Sequence, residues 1–345
     1  MQISVNPGYQ SATYGEERSR ASLVLSQLLL LKSRKRWGIM YMLATVSGLF
    51  VPIGGVLSSI EDHIVSSFTT ILLQCLPLLA ATFLIITGMY VLNDLVDADL
   101  DKSSGKKRPI SSGQVTKAQA LIFVILTNAI GMILALMTFN LYSIIVALTI
   151  IGVGLMYSAP KICLKDRFVI KTASIAAASM LCLMLGSSYA FNSSYGMIQH
   201  NYYYSGVGAL NSPILVCTYA ALMSGSIIFI TSLLNDLGDV QGDKAFGRRT
   251  IPVVIGKKNT VTLTIIIAAT MIVISWISFY SLPNNIGLIS PILVSLVASM
   301  ATIKMANILK HLNDCEFIRK QHKKSMSWHL ILQSALIVGA LLFWV

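Results

Sequence analysis

The sequence predicts an all-α protein that crosses a membrane many times, and three observations carry that expectation. Of 345 residues, 55% are hydrophobic and only 12% are charged, where a soluble domain carries roughly a quarter. Runs of about 20 apolar residues, enough for one helical crossing of a bilayer, recur along the whole chain. All 26 Lys and Arg residues fall in one alternate set of the segments between those runs, the asymmetry that orients membrane helices.

Nine spans follow from the hydropathy: 37–56, 67–92, 118–138, 141–158, 169–190, 214–234, 260–280, 288–308 and 327–345. The third and fourth share a very short turn at Phe139-Asn140. Arg18 to Arg36, Lys102 to Lys117, Lys161 to Lys171, Lys244 to Lys258 and Lys304 to Lys324 contain every basic residue, and the loops 57–66, 139–140, 191–213 and 281–287 contain none. This pattern places the N-terminus and the basic segments in the cytoplasm and the C-terminus outside the cell membrane. Residues 1–36 read as a cytoplasmic N-terminal segment, disordered over 1–20, with a short interfacial helix at Ser22 to Lys32. Residues 37–345 read as one transmembrane domain.

The net charge of +12 does not point to nucleic acid, because the cations are scattered over five separated segments. Cys75, Cys163, Cys182, Cys217 and Cys315 have no CxxC spacing and read as packing residues. The basic stretch ending at Arg36 lies too deep in the chain for a signal peptide. The five histidines show no ligand spacing, and no protein partner is inferred.

The carboxylates are concentrated. Seven of the 14 Asp and Glu residues sit in two nine-residue windows, Asn93-Asp94-Leu-Val-Asp97-Ala-Asp99-Leu-Asp101 and Asn235-Asp236-Leu-Gly-Asp239-Val-Gln-Gly-Asp243. Both read NDxxDxxxD, both close a long apolar span, and both precede a basic loop, so the chain is an internal pseudo-repeat. On a helix, positions i, i+3 and i+7 fall within about 60° of one another. Asp94, Asp97 and Asp101 thus share a face, as do Asp236, Asp239 and Asp243, while Asp99 points away. Like charges so arranged repel unless a cation compensates. Hard divalent cations take oxygen ligands, and Mg²⁺ commonly pairs one or two carboxylates with substrate phosphates. The chemistry that fits is departure of pyrophosphate from an allylic diphosphate. Solvated headgroup-level acids would not repeat a nine-residue pattern, and ionisable groups at membrane depth point to function.

Cations follow each motif: Lys106, Lys107 and Arg108 after the first, and Lys244, Arg248 and Arg249 after the second. Arg108 and Arg248 suit bidentate phosphate contact. The fourth span ends Tyr157-Ser-Ala-Pro-Lys161-Ile-Cys-Leu-Lys165, and Arg36-Trp37 opens the first. Tyr157, Lys161, Lys165 and Arg36 are diphosphate or pocket candidates on position alone, since Tyr, Lys and Arg are also ordinary interface anchors.

At these motifs the sequence resembles the UbiA superfamily of intramembrane prenyltransferases. The resemblance covers nearly the whole chain: NDxxDxxxD after the second span, YxxxK after the fourth and DxxDxxxD after the sixth. It implies helices around a central cavity, two Mg²⁺ ions and a lateral opening to lipid. It implies that Asn93, Asp94, Asp97 and Asp101 form the first metal and diphosphate site and Asp236, Asp239 and Asp243 the second. Tyr157 and Lys161 match the family's cation-pocket tyrosine and diphosphate lysine, and Arg108 its basic loop residue. RPISSG and GDKAFGRRTIPVVIGKK look like the digeranylgeranylglyceryl phosphate synthase members, although Asn235 stands where relatives often have Lys. The expected substrates are a polyprenyl diphosphate and a geranylgeranylglyceryl phosphate-type lipid acceptor. An aromatic acceptor, of quinone or homogentisate type, and a terpene cyclase on the same scaffold are the alternatives. A transporter with a carboxylate repeat would place its acids near the midplane, not at span ends.

Overall fold

A computed structural model describes residues 7–52, 73–103, 105, 107–204, 212–282 and 286–342. Its elements are α1 (Pro7–Phe50), α2 (Leu76–Val96), α3 (Ala98–Ser103), α4 (Lys117–Leu136), α5 (Leu141–Ser158), a 3₁₀ turn (Leu164–Asp166), α6 (Phe168–Tyr204), α7 (Ser212–Ala245), α8 (Ile251–Ile255), α9 (Lys257–Ser281), α10 (Ile289–Leu309) and α11 (Cys315–Leu341). No strand occurs among the described residues.

Seven of these helices are long and apolar enough to cross a membrane: α2, α4, α5, α6 through Phe191, α7 from Ile214, α9 and α10. The chain is an integral membrane protein of helical class. The spans expected at 37–56 and 327–345 lie on α1 and α11, which fall short of that measure over the described residues. The expected loop 57–66 lies outside the described residues. Many large apolar side chains face outward on α4 and α5, among them Leu121, Ile125, Ile133, Ile145 and Leu148, which suits a surface solvated by lipid.

Two local expectations change. The chain is helical from Pro7, and the expected interfacial helix is part of one unbroken helix to Phe50, because no Pro or Gly interrupts residues 16–37. The first acidic motif is not on a single helix, since α2 ends at Val96 and α3 begins at Ala98. Elsewhere the turn chemistry acts as expected. Asn140 caps α5, its side chain accepting from the Tyr142 and Ser143 amides at 3.0 and 3.3 Å. Thr116 and Gln119 form a capping box on α4.

The halves meet where α1 crosses α6. A Cβ on Gly48 would lie 1.9 Å from the Leu183 carbonyl oxygen, and one on Gly186 2.0 Å from that of Thr45. Only glycine lets the two backbones approach so closely, as at other small-residue membrane crossings. Deeper in the core the Ser47 hydroxyl donates to Gln333, whose Nε2 donates to Ser224 Oγ at 2.7 Å, with Ser179 2.7 Å beyond. This buried polar strap joins α1, α11, α7 and α6 with its members hydrogen-bonded to one another, the condition for polar groups in an apolar interior.

Candidate active site

Both acidic motifs lie at the same end of the bundle, and Arg248 joins them. This residue follows the second motif, yet its Nη2 donates to Asp97 Oδ1 of the first at 3.1 Å, and its Nε lies 3.2 Å from Asp166. Burial alone would lower the Arg248 guanidinium, but Asp97, Asp166 and Asp243 outweigh it and hold it above its ordinary value.

The first motif is cross-braced. Arg34 pairs with Asp94 through two hydrogen bonds, and Arg108 Nη1 reaches both Asp94 and Asp101 at 2.6 Å. Asp94 and Asp101 therefore do share a face, as the spacing predicts. Asp97, at the break between α2 and α3, turns instead to Lys165 Nζ at 2.8 Å and to Arg248. Asp99 points outward and pairs with Lys117.

The second motif lies along continuous α7. Asp236, 1% exposed, accepts from Lys171 Nζ at 2.7 Å through one oxygen, and its Oδ2 is buried with no partner. Asp243 accepts from the Thr250 hydroxyl at 3.1 Å. Asp239 is half-exposed and pairs with Arg319 of α11 at 3.1 Å.

An apolar cavity of about 110 Å³ opens beside these carboxylates. Three helices line it with the same i, i+3, i+4, i+7 stripe: Ile86, Met89, Tyr90 and Asn93 of α2; Ile150, Val153, Gly154 and Tyr157 of α5; and Ser174, Ile175 and Ala178 of α6, which continue the face of Lys171. Tyr41 of α1 completes the wall, its hydroxyl 3.4 Å from that of Tyr90, and Trp37 stacks on Tyr90 with ring centroids 4.7 Å apart. Tyr157 lies within electrostatic reach of both Asp236 and Asp97. The polar end of the cavity is thus Asn93 of the first motif and Tyr157, which feels Asp236 of the second, and its inner end is hydrocarbon.

Of the residues selected from sequence, Asn93, Asp94, Asp97, Asp101, Asp236, Asp239, Asp243, Arg108, Tyr157, Lys165 and Arg248 gather at this end. Lys161 and Arg36 are exposed and pair with no carboxylate among the described residues. The helix leaves Tyr157 at Ala159, extended ahead of Pro160, and carries Lys161 outward on a turn. Cys163, in the left-handed region at φ 44°, then turns the chain so that Lys165, 5% exposed, points back in. Arg34 and Lys171 were missed. Their signal is helical phase: Arg34 precedes Trp37 and Tyr41 by three and seven residues, and Lys171 stands likewise to Ser174 and Ala178.

Among the described residues no three Asp, Glu, His or Cys side chains stand close enough to hold one ion. The like charges expected to await a metal are compensated by the protein's own Arg and Lys. Two hard oxygen donors at the junction are nevertheless buried without hydrogen-bond partners, Asn93 Oδ1 and Asp236 Oδ2. That donor set fits a divalent cation that takes only one or two protein ligands and completes its shell with phosphate and water.

The UbiA prenyltransferase family matches residues 64–331, most of the chain. The chain belongs to that family. This UbiA prenyltransferase is 26% identical over 202 residues to the digeranylgeranylglyceryl phosphate synthase of Pyrococcus furiosus, covering 59% of this chain and 62% of that protein. It is 26% identical over 252 residues to the synthase of the same name from Saccharolobus solfataricus, covering 73% of this chain and 82% of that one. Its fold is shared by a UbiA homolog from Archaeoglobus fulgidus bound to GPP and Mg²⁺, with a TM-score of 0.57 at 15% identity over 90% of this chain and 99% of that one. An apo UbiA homolog from Aeropyrum pernix K1 gives a TM-score of 0.63 at 15% identity, over 86% and 97%.

Proposed function

We propose that this UbiA prenyltransferase moves a polyprenyl group from its diphosphate to a geranylgeranylglyceryl phosphate-type lipid in the membrane, releasing pyrophosphate with the aid of two Mg²⁺ ions. The observation that carries this reading is the apolar cavity whose polar end is formed by Asn93 and Tyr157, beside the carboxylates that Arg248 and Lys171 draw to the same end of the bundle. It offers one compartment for a charged leaving group and another for a hydrocarbon tail. The names of the curated relatives support the lipid acceptor, and the basic loops support a cytoplasmic position for the site.

Asn93, Asp97 and Asp101 on one side and Asp236, Asp239 and Asp243 on the other are the residues to hold the metal ions. When bound, Mg²⁺ supplies the positive charge that makes pyrophosphate a competent leaving group. Lys165 and Arg248 stand ready to pair with phosphate oxygens once the carboxylates take up metal, and charge-assisted contacts of this kind are the strong ones. Tyr157 and Tyr90 present aromatic surface at the cavity mouth, where faces of π-systems attract a developing cation. The apolar walls exclude water, so the acceptor hydroxyl is the nucleophile that reaches C1.

The test is turnover by the purified protein with geranylgeranyl diphosphate and Mg²⁺, offering geranylgeranylglyceryl phosphate and aromatic acids as competing acceptors. The expected result is a prenylated lipid ether with stoichiometric pyrophosphate, lost in EDTA and restored by Mg²⁺. Pyrophosphate release with a cyclised hydrocarbon and no acceptor product would overturn it in favour of a cyclase.

A further inference from the structure

Resting on the transfer reading, we infer that Met89 and Gly154 form the gate that sets how long a prenyl tail the cavity admits. Helical rise puts Met89 about 6 Å inward of Asn93 and Ile86 about 10 Å inward, so a short isoprenoid ends near Met89 and a longer one must pass it. Gly154 stands opposite on α5. A Cβ added there would lie 2.5 Å from Met89 Sδ, 2.7 Å from its Cγ and 3.2 Å from its Cβ. The thioether therefore occupies the room that the missing side chain leaves. Gly152, two residues away on the same helix, shows that this is a property of the position: a Cβ there meets nothing within 4 Å.

Met is unbranched and has three rotatable bonds, so its side chain can swing aside for a tail as a branched residue could not. A methyl group at position 154 removes the space into which it retracts and drives the thioether into the cavity. Ile175 and Ala178 of α6 line the cavity beside this pair.

The experiment measures binding and turnover of dimethylallyl, geranyl, farnesyl and geranylgeranyl diphosphates, with Mg²⁺, in the full chain. Thermal stabilisation in detergent reports binding independently of catalysis. Gly154→Ala is expected to weaken geranylgeranyl diphosphate by roughly tenfold or more relative to dimethylallyl diphosphate, the scale of one misplaced methyl in a hydrocarbon pocket. Met89→Ala should shift preference toward longer tails, and Met89→Ala in the Gly154→Ala background should restore the long tail. Gly152→Ala controls for the effect of a helical Gly→Ala change and should leave the length profile unmoved. Equal losses at every length in Gly154→Ala, or failure of Met89→Ala to rescue, would overturn the gate. Length-dependent binding without any transfer by the native protein would sustain the gate and sink the transfer reading.

Discussion

The two acidic motifs share a nine-residue pattern and differ in how the fold treats them. The first is broken at Asp97 between two helices and held by Arg34, Arg108, Lys165 and Arg248, drawn from α1, two loops and the 3₁₀ turn. The second runs along one unbroken helix, where Asp236 keeps an oxygen without a partner and Asp243 accepts from a neutral hydroxyl. Among the described residues, identical spacing therefore yields a first cluster held by four cations and a second held by two, Lys171 and Arg319, with one unpartnered oxygen in each, on Asn93 and on Asp236. Compensating cations stabilise a buried carboxylate but compete with a metal for it, so the second motif should be the one that first engages a divalent ion.

The largest expected effect tests that asymmetry. Asp97→Ala and Asp236→Ala should each lower kcat by about 10²–10³-fold, the scale of removing one electrostatic contact to the transition state. Both substitutions strand a lysine, buried Lys165 beside Asp97 and half-buried Lys171 beside Asp236, so each should also cost about 3–5 kcal/mol of stability, read as detergent melting. A loss of kcat confined to one of the two variants would break the comparison. Half-activation by Mg²⁺ should rise more for Asp243→Asn than for Asp101→Asn, and the reverse order would reassign the first metal contact.

Arg248 is the bridge, and its guanidinium serves Asp97 and Asp166 through different nitrogens. A lysine ammonium is a single point charge and cannot reproduce that fork. Arg248→Lys is expected to lose roughly 10–100-fold in kcat/KM, and near-native kinetics would show that the motifs do not depend on this link. Lys165→Ala should raise the prenyl diphosphate KM about tenfold or more, whereas Lys161→Ala should change it within about twofold. Should Lys161 prove the more damaging, the sequence resemblance would outrank the geometry. The smallest effect belongs to Arg319→Ala, whose ion pair with Asp239 is largely exposed; it should cost under about 1 kcal/mol of stability.

The motif asymmetry also explains which site residues were legible. Carboxylates repeat in sequence because metal and phosphate chemistry needs their type and spacing, and they can be found without a fold. The cations answering them carry no spacing rule of their own. Arg34 and Arg36 are two residues apart on one helix, and only the packing of α1 against α2 turns the first toward Asp94 and leaves the second exposed. Lys161 follows a proline-terminated helix end and a left-handed cysteine separates it from Lys165, and that turn exchanges their directions.

Hydropathy and charge asymmetry by themselves determined that the chain is a helical membrane protein, because the bilayer imposes a length and a composition on every crossing segment. The repeated aspartates marked the candidate site, because like charges are tolerated together only when cations answer them. Tertiary structure alone decided which cations those are, where the cavity runs and how deep Met89 lets it go. Helix phase and interhelical contact are relations between distant segments, and a one-residue rotation that leaves the hydrophobic pattern intact points a side chain elsewhere.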